Sequence, residues 1–347
     1  MFGGRSAEYE VSLISAYNIL SNIDRNKYDI HMLGVTRDGA WKYYSGNTED
    51  IKNDKWQDAA CPAMLVPDYG SKTLLICDGE MHSLHIDVVI PIMHGSYCED
   101  GRIQGLFDIC GLPYVGPGCL SSAVCMDKTV TKHILNNFDI PQAKHICLDA
   151  KTANESIDTC ISEVESIFGY PVFVKPANAG SSVGTGKAFD RESLSHAIRS
   201  AAKIDCKIIV EEYIKAREIE VAVMGNDDIK VSRCGEIDPG SEYYDYDTKY
   251  KTDTSRAYIP ARIPAEAEAQ IRKYAETIYK TLDCRGLSRV DFFYTDNGRI
   301  VFNEINTLPG FTSISMYPKL FMNEGMRYGE IIDALIELAL ETAKEKY

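Results

Sequence analysis

At 347 residues the chain is too long for one ordinary hydrophobic core and predicts two or three domains. With 45% hydrophobic and 25% charged residues it reads as globular, and a net charge of -14 with no offsetting basic stripe excludes nucleic acid and anionic membrane as main partners. Eleven cysteines without CxxC spacing read as reduced thiols, no tripartite leader opens the chain, and no apolar run nears the roughly 18 residues of a bilayer span, so the expected compartment is the cytoplasm.

In chain order, MFGGRSAEYEVSLISAYNIL leads through a glycine-rich turn into a helix whose apolar face carries Leu13, Ala16, Leu20 and Ile23. Such a turn normally follows a buried strand, but only Met1 and Phe2 precede it. The first strand therefore reads as clipped, and the sheet is expected to lose a central member and the turn its anchor. Strands are predicted over Tyr28 to Val35 and Ile86 to Met93, the second a nearly continuous apolar run of the kind buried in parallel sheets. The first hundred residues thus read as an open α/β unit, and GPGCLSSAVCMDK (116–128) as a boundary followed by a helix. Strands at Pro171 to Lys175 and Lys207 to Glu212 enclose NAGSSVGTG and a helix over Arg191 to Ala202. A proline opens the helix predicted over Pro264 to Leu282, and a last helix covers Tyr328 to Ala343. The tyrosine-rich stretch DPGSEYYDYDTKYKTDTSR (238–256) is too long for a turn and reads as a lid.

Residues 289–310, RVDFFYTDNGRIVFNEINTLPG, set Asn297-Gly298 between two alternating apolar runs, the strongest short-range hairpin signal. With a type I′ turn there, Asp291 falls opposite Glu304 and Arg289 opposite Asn306 on one face. Val290, Phe292, Asn303 and Ile305 take the other. Facing carboxylates repel unless positive charge intervenes. This face is therefore either a solvated polar surface or the oxygen set of a hard cation such as magnesium, which shares itself with phosphates.

Other stretches offer parts of a nucleotide site. AGSSVGTG (179–186) can bring backbone N–H groups to phosphate oxygens, with Lys175 on the preceding strand as a point charge or as a solvated strand end. In EEYIKAREIEVAV (211–223), Glu211, Glu212 and Glu218 are either acceptors for ribose and adenine groups or edge-strand solubility. His94 ends a buried strand, where open parallel sheets bind ligands. Glu10, in the first turn of the first helix, serves as a dipole-matching charge or as the partner of a substrate ammonium.

Taken together, GGRSAEYEVSL, HGSYCEDGRIQG, MDK, VFVKPANAGSSVG, YYDYDTKY, SRVDFFY and NEINTLPGFTSISMYP resemble, in order, the motifs of the D-alanine-D-alanine ligase family of the ATP-grasp superfamily. The resemblance implies an α/β, ATP-grasp fold with an N-terminal open parallel-sheet, Rossmann-like domain at 1–117. A central subdomain at 118–210 and a C-terminal one at 211–347 with its lid at 238–256 would follow. Lys128, Lys175, Glu211, Tyr213 and Glu218 would bind ATP, and Asp291, Glu304 and Asn306 two magnesium ions, with manganese as a substitute. Glu10 would take the ammonium of the first D-alanine in a triad with Ser181 and Tyr250, and Lys249 would reach the transferred phosphate. Arg289 and the Gly310 N–H would stabilise an oxyanion, with His94, Ser315 and Met316 beside substrate. The implied reaction joins two D-alanines through an acyl phosphate in peptidoglycan precursor synthesis, in a protein expected to be a homodimer.

Two residues bear on substrate choice within that resemblance. Tyr250 favours an amine over a hydroxyl nucleophile, and Met316 favours D-alanine over D-serine. A D-alanine-D-serine ligase and another ATP-grasp carboxylate-amine ligase are the alternatives. Cys98 and Arg102 stand where the family has glycine and threonine, and a cysteine in place of a glycine that permits positive φ is expected to alter the loop beside His94.

Overall fold

The apolar residues of this chain resolve into three sheets, each placed by what covers it. The computed structural model describes residues 1–181, 183–238 and 256–346. The first sheet orders β1 (Phe2–Gly3), β2 (Met32–Val35), β3 (Trp41–Tyr44), β4 (Cys61–Leu65), β5 (Thr73–Cys77) and β6 (Met81–His85) side by side. Helix α1 (Tyr9–Asn22) follows β1, and the short α2 (Thr48–Lys52) follows β3. Only β1 and β2 run parallel as strands; β2 to β6 form an antiparallel meander that the sequence reading lacked. The apolar run at 86–93 enters as single parallel bridges, Phe2 to Ile92 and Val89 to Tyr114, rather than as a continuous strand.

The central member of the sheet is nevertheless present, contrary to expectation. Two residues suffice because Phe2 pairs with Gly34 on one side and Ile92 on the other, and its buried ring meets Trp56 edge-on at 4.9 Å. The turn is anchored as well. Gly3 N–H donates to Ser12 Oγ at 2.7 Å, the Ser12 hydroxyl donates to Ile92 O, and Gly4 N–H reaches Val35 O at 2.8 Å.

Helices α3 (Arg102–Cys110), α4 (Cys119–Met126) and α5 (Lys128–Leu135) lead to the second sheet, ordered β7-β10-β8-β9 and antiparallel throughout. It comprises β7 (His145–Asp149), β8 (Val172–Pro176), β9 (Gly186–Ala188) and β10 (Lys207–Glu212), with α6 (Ala150–Glu155), α7 (Ile157–Ile167) and α8 (Arg191–Ala201) contributing to its core. Two expected boundaries shift. β10 stays paired through Glu212, so a division after 210 cuts a strand. Residues Cys125, Leu135 and Ile140 pack into the core of the third sheet, so α4 and α5 belong with the C-terminal part, because that is where their apolar faces are covered.

The third sheet, ordered β13-β12-β11-β14-β15, contains β11 (Arg217–Gly225), β12 (Lys230–Asp238), β13 (Arg256–Tyr258), β14 (Gly286–Tyr294) and β15 (Ile300–Asn306). One face, with Ile219, Val221, Val223, Val290 and Phe292, is covered by α9 (Ala265–Thr281). The other face is divided. Ala222, Met224 and Leu287 join a core with α1, α10 (Met316–Asn323) and α11 (Tyr328–Lys346), whereas Glu218, Glu220, Arg289 and Asp291 line an open cleft.

The β14–β15 hairpin pairs Asp291 with Glu304 and Arg289 with Asn306, as the alternation predicts, but by another route. Only Gly298 in the turn has positive φ, at 82°, and Gly298 N–H bonds Thr295 O, so the loop is one residue longer than a type I′ turn. Pairs next to the turn are consequently offset by one, and a bulge between Asp291 and Phe292 restores the predicted register. The bulge frees Asn303 from the core face. It turns to the cleft, where Oδ1 accepts from Lys175 Nζ at 3.1 Å.

Gly3 has φ 87°, and a Cβ there would strike the Val35 carbonyl. Gly3→Ala is therefore expected to cost about 2 kcal/mol or more, read as a lower urea midpoint at unchanged slope. An unchanged midpoint would show that β1 contributes little to the sheet.

Candidate active site

Between the second and third sheets lies a cleft lined mainly by polar and charged side chains. Lys128 from α5, Lys175 from β8, Ser181 from the glycine-rich loop, Glu218 and Glu220 from β11, Arg289 and Asp291 from β14 and Glu304 from β15 all line it. Strand alternation explains the convergence. The residues interleaved with Glu218, Glu220, Arg289 and Asp291 are the apolar ones under α9, so the charged set must point the other way.

Charge in the cleft is matched locally. Arg289 forks onto Asp291 with Nε and Nη2 at 2.8 and 2.7 Å and also meets Glu220 at 3.1 Å. Burial opposes the guanidinium charge, but Asp291 and Glu220 outweigh it and hold its pKa well above the ordinary value. Asn306 Nδ2 donates to Asp291 at 3.0 Å, and Lys128 pairs with Glu304 at 3.3 Å while donating to Ala179 O at 2.9 Å. Asp127 caps α5 by accepting from the N–H groups of Thr129 and Val130, which fixes Lys128 at the first helical position. Among the described residues no three His, Cys, Asp or Glu side chains gather around one point. The residues expected to hold magnesium, Asp291, Glu304 and Asn306, are two carboxylates opposed across a strand pair plus a side-chain amide, whose oxygens are hard donors of the kind that suit a cation completing its shell on phosphate.

Lys175 is held from behind. Glu211 is buried, with one oxygen 2.7 Å from Lys175 Nζ and the other 2.8 Å from Lys132 Nζ. Burial works against its charge, but the two ammonium groups prevail and keep it well below the usual carboxylate range. Glu211 thus holds a lysine in place, and each of its oxygens lies within ion-pair distance of an ammonium group. Tyr213 lies under Lys187, whose Nζ is 3.5 Å from the ring centroid.

One predicted residue is misplaced. Glu10 is exposed and pairs with Arg37, while the carboxylate that meets the Ser181 hydroxyl is Glu8. The helix itself gives the reason. Glu10 repeats with Ile14, Tyr17 and Ser21, one residue off the buried stripe of Tyr9, Leu13, Ala16 and Leu20, whereas Glu8 precedes the first turn and points back to the loops. Its carboxylate lies between Gly95 and Gly180: a Cβ on Gly180 would come within 2.8 Å of it, and one on Gly95 closer still. That stripe was readable and separates the two glutamates. Glu99, Lys132, Glu220 and Asn303 were also missed, the last because a bulge leaves no mark in alternation.

Behind Glu8, His94 is buried and donates from Nδ1 to Leu308 O at 2.9 Å, leaving Nε2 toward Ser15 Oγ at 3.4 Å. Burial lowers its pKa against the pull of Glu8, which favours the neutral ring. Glu99 ties the same loops, accepting from Gly95 N–H at 2.6 Å and Leu308 N–H at 3.2 Å. Burial, with the Glu8 charge adding to it, raises Glu99 to about 8. The feared effect of Cys98 does not arise: positive φ falls on Gly95 and Tyr97, and Cys98 is a buried apolar contact in ordinary backbone. Arg102 pairs with Asp100.

Ser315 precedes α10 and closes the turn before it, its Oγ accepting from Thr312 N–H at 2.9 Å without capping the helix itself. A Cβ on Gly310 would come within 2.8 Å of Ser315 Oγ. Met316 is buried, its Sδ against Gly235 of β12, and does not line the cleft. Lys249 and Tyr250 lie outside the described residues. No helix among those described is long and apolar enough to cross a membrane.

Comparison with known proteins agrees with this architecture over its whole length. The family described as D-ala D-ala ligase N-terminus matches residues 1–117 and that described as D-ala D-ala ligase C-terminus matches 134–337. The D-alanine-D-alanine ligase of Caldicellulosiruptor bescii is 47% identical over 100% of this chain and 95% of its own, and that of Acetivibrio thermocellus 46% identical over 98% and 95%. Among solved structures, the VanG D-Ala:D-Ser ligase of Enterococcus faecalis superposes with a TM-score of 0.88 at 42% identity, covering 97% of each chain. The D-alanine-D-alanine ligase of Coxiella burnetii does so at 0.83 and 33%, covering 99% of this chain and 95% of that one. A cleft between two antiparallel sheets, entered by a buried carboxylate from an N-terminal α/β unit, and a match in both halves of the chain together make this protein a member of the D-alanine-D-alanine ligase family, with the ATP-grasp fold.

Proposed function

We propose that the chain is an ADP-forming ligase that joins two D-alanines for peptidoglycan precursor synthesis. The observation that carries this reading is the position of Glu8: a buried carboxylate, bonded to Ser181, at the mouth of a cleft lined by Lys128, Lys175 and Arg289. A carboxylate there suits an amino-acid ammonium, and the lysines suit phosphate. Family membership supports ATP as the second substrate.

In this reading Glu8 holds the ammonium of the first D-alanine and so aims its carboxylate at the γ-phosphate. Lys128 and Lys175 bind the phosphates, with Glu211 fixing Lys175 and with Glu218 and Tyr213 toward the nucleoside. Asp291, Glu304 and Asn306 would hold two magnesium ions, which when bound spread the charge of the transferring phosphoryl group. The amine of the second D-alanine then attacks the acyl carbon, Arg289 with the Gly310 N–H stabilises the oxyanion, and the bond from the acyl carbon to the phosphate oxygen breaks so that inorganic phosphate leaves as the amide forms. Arg289 is suited to this because Asp291 and Glu220 fix its fork before substrate arrives. His94, through its bond to Leu308 O, steadies the loop that carries Gly310, with Ser315 toward the second substrate, whereas Met316 lies buried against Gly235 and is given no substrate contact. The phosphate contact expected of Lys249 and the triad role expected of Tyr250 belong to the same reading and rest on family likeness alone. A homodimer and a cytoplasmic location belong to the same reading and rest on family likeness.

A D-alanine-D-serine ligase is the second reading, favoured by the likeness to the VanG ligase. Two relatives that are 47% and 46% identical, both D-alanine-D-alanine ligases, support D-alanine. Mass spectrometry of products formed from ATP, magnesium, D-alanine and D-serine decides between them. A dominant D-alanyl-D-alanine product is expected, and a dominant mixed dipeptide would overturn the substrate assignment. In the same assay Glu8→Gln should lower kcat/KM for D-alanine on the order of 100-fold, the scale for breaking a buried charge pair, and Glu10→Gln should leave it within about twofold. The reverse pattern would return the ammonium to Glu10.

Glu8 and Glu99 also make a pH prediction. A carboxyl raised from 4.5 to about 8 adds stability that is whole below about 4.5 and is lost as pH rises through about 8. Carbon-13 NMR should find Glu99 titrating near 8, and Glu8→Gln should shift it downward because the repelling charge is gone. An ammonium bound at Glu8 should act in the same direction. A Glu99 titration near 4.5 would refute the coupling.

A further inference from the structure

We infer that Lys132 is a positioning residue for nucleotide phosphate, acting through Glu211 to leave the Lys175 ammonium with charge to spare for its ligand. The inference rests on the reading of the cleft as an ATP site. Lys132 lies one helical turn past Lys128 on α5 and is 1% exposed, so it does not reach the cleft itself. Its Nζ is 2.8 Å from one oxygen of Glu211, and the other oxygen is 2.7 Å from Lys175 Nζ. Lys175 in turn lines the cleft and donates to Asn303 at 3.1 Å.

Two lysines share one glutamate, so the buried group carries one net positive charge, and it is expressed where Lys175 opens on the cleft. A Glu211–Lys175 pair alone would be neutral, and both carboxylate oxygens would compete with a phosphate for the same ammonium. A second buried ammonium is a costly way to brace one lysine, since burial disfavours charge and one partner already neutralises Glu211. The protonation tendencies follow the same division: burial lowers Lys132, with Glu211 opposing only in part, whereas for Lys175 Glu211 and Glu304 outweigh burial.

The test is equilibrium binding by calorimetry to the full chain with ADP and magnesium, and separately with adenosine, which has no phosphate. Lys132→Met should weaken ADP roughly tenfold, about the effect of one charge across a few ångströms of partly screened space, and leave adenosine within about twofold. The double variant Lys132→Met with Glu211→Gln removes one charge of each sign, restores the net charge of the triad and should recover most of the ADP affinity. Lys132→Arg should retain it as well. Equal weakening of ADP and adenosine, or a double variant no better than the single one, would reduce Lys132 to a structural brace and overturn the inference. If Lys132→Met fails to fold, ADP binding by the double variant decides: near the wild-type value supports the inference, and tenfold weaker refutes it. Failure of the wild-type chain to bind ADP would instead refute the ATP reading on which this rests.

Discussion

Asp291 and Glu304 face each other across two neighbouring strands, and the cleft is arranged around the need to meet that repulsion. Two carboxylates in register cannot both stay ionised in a partly buried site without cations close by. Arg289 answers Asp291 from two residues away on the same strand, and Lys128 answers Glu304 from another element. Each cation is fixed in its turn, Arg289 by Glu220 and Lys128 by the cap that Asp127 puts on α5. The result is a lattice of opposite charges in which every member has its place before a ligand enters. Such pre-organisation lets hydrogen-bond donors act on a developing charge without first reorganising.

The third sheet makes this possible because its two faces are treated differently. One is uniformly apolar beneath α9. The other changes character along each strand: on β11 it runs from Glu218 and Glu220 in the cleft to Ala222 and Met224 under the terminal helices, and on β14 from Asp291 and Arg289 to Leu287. A strand covered at one end and open at the other must show this gradient, since an apolar residue in the cleft or a charge beneath α10 would each forfeit its favourable surroundings. The same covered end joins α1 to α10 and α11 in one core, and so carries Glu8 to the cleft from the far end of the sequence.

Much of this was legible in the residues. Strand period two put Arg289, Asp291, Glu304 and Asn306 on one face, and ordered motifs pointed to the family. The register at Asp291 was reached through two irregularities that cancel, a longer turn and a bulge, neither of which alternation records. Asn303 shows the cost, since a residue assigned to the core serves the cleft. The boundary at α4 and α5 was illegible for another reason: a chain segment declares its apolar face but not which of two cores will cover it. Glu8 differs from both cases. Its advantage over Glu10 follows from helical phase, and the apolar stripe already read along α1 held that information.

The overall charge of -14 says little about this cleft. Screening in physiological salt falls off over about 8 Å, so charge on distant surfaces is largely lost at the site, whereas partners a few ångströms apart and partly buried are screened far less. What an incoming anion meets is the local balance: Lys128 and Lys175 at the glycine-rich loop, with Glu304 beside Lys128 in the cleft and Glu211 buried beneath Lys175. An acidic protein can therefore present a phosphate site where a lysine has its carboxylate behind it rather than between it and the ligand. The shared Glu211 meets that condition by lying buried beneath Lys175.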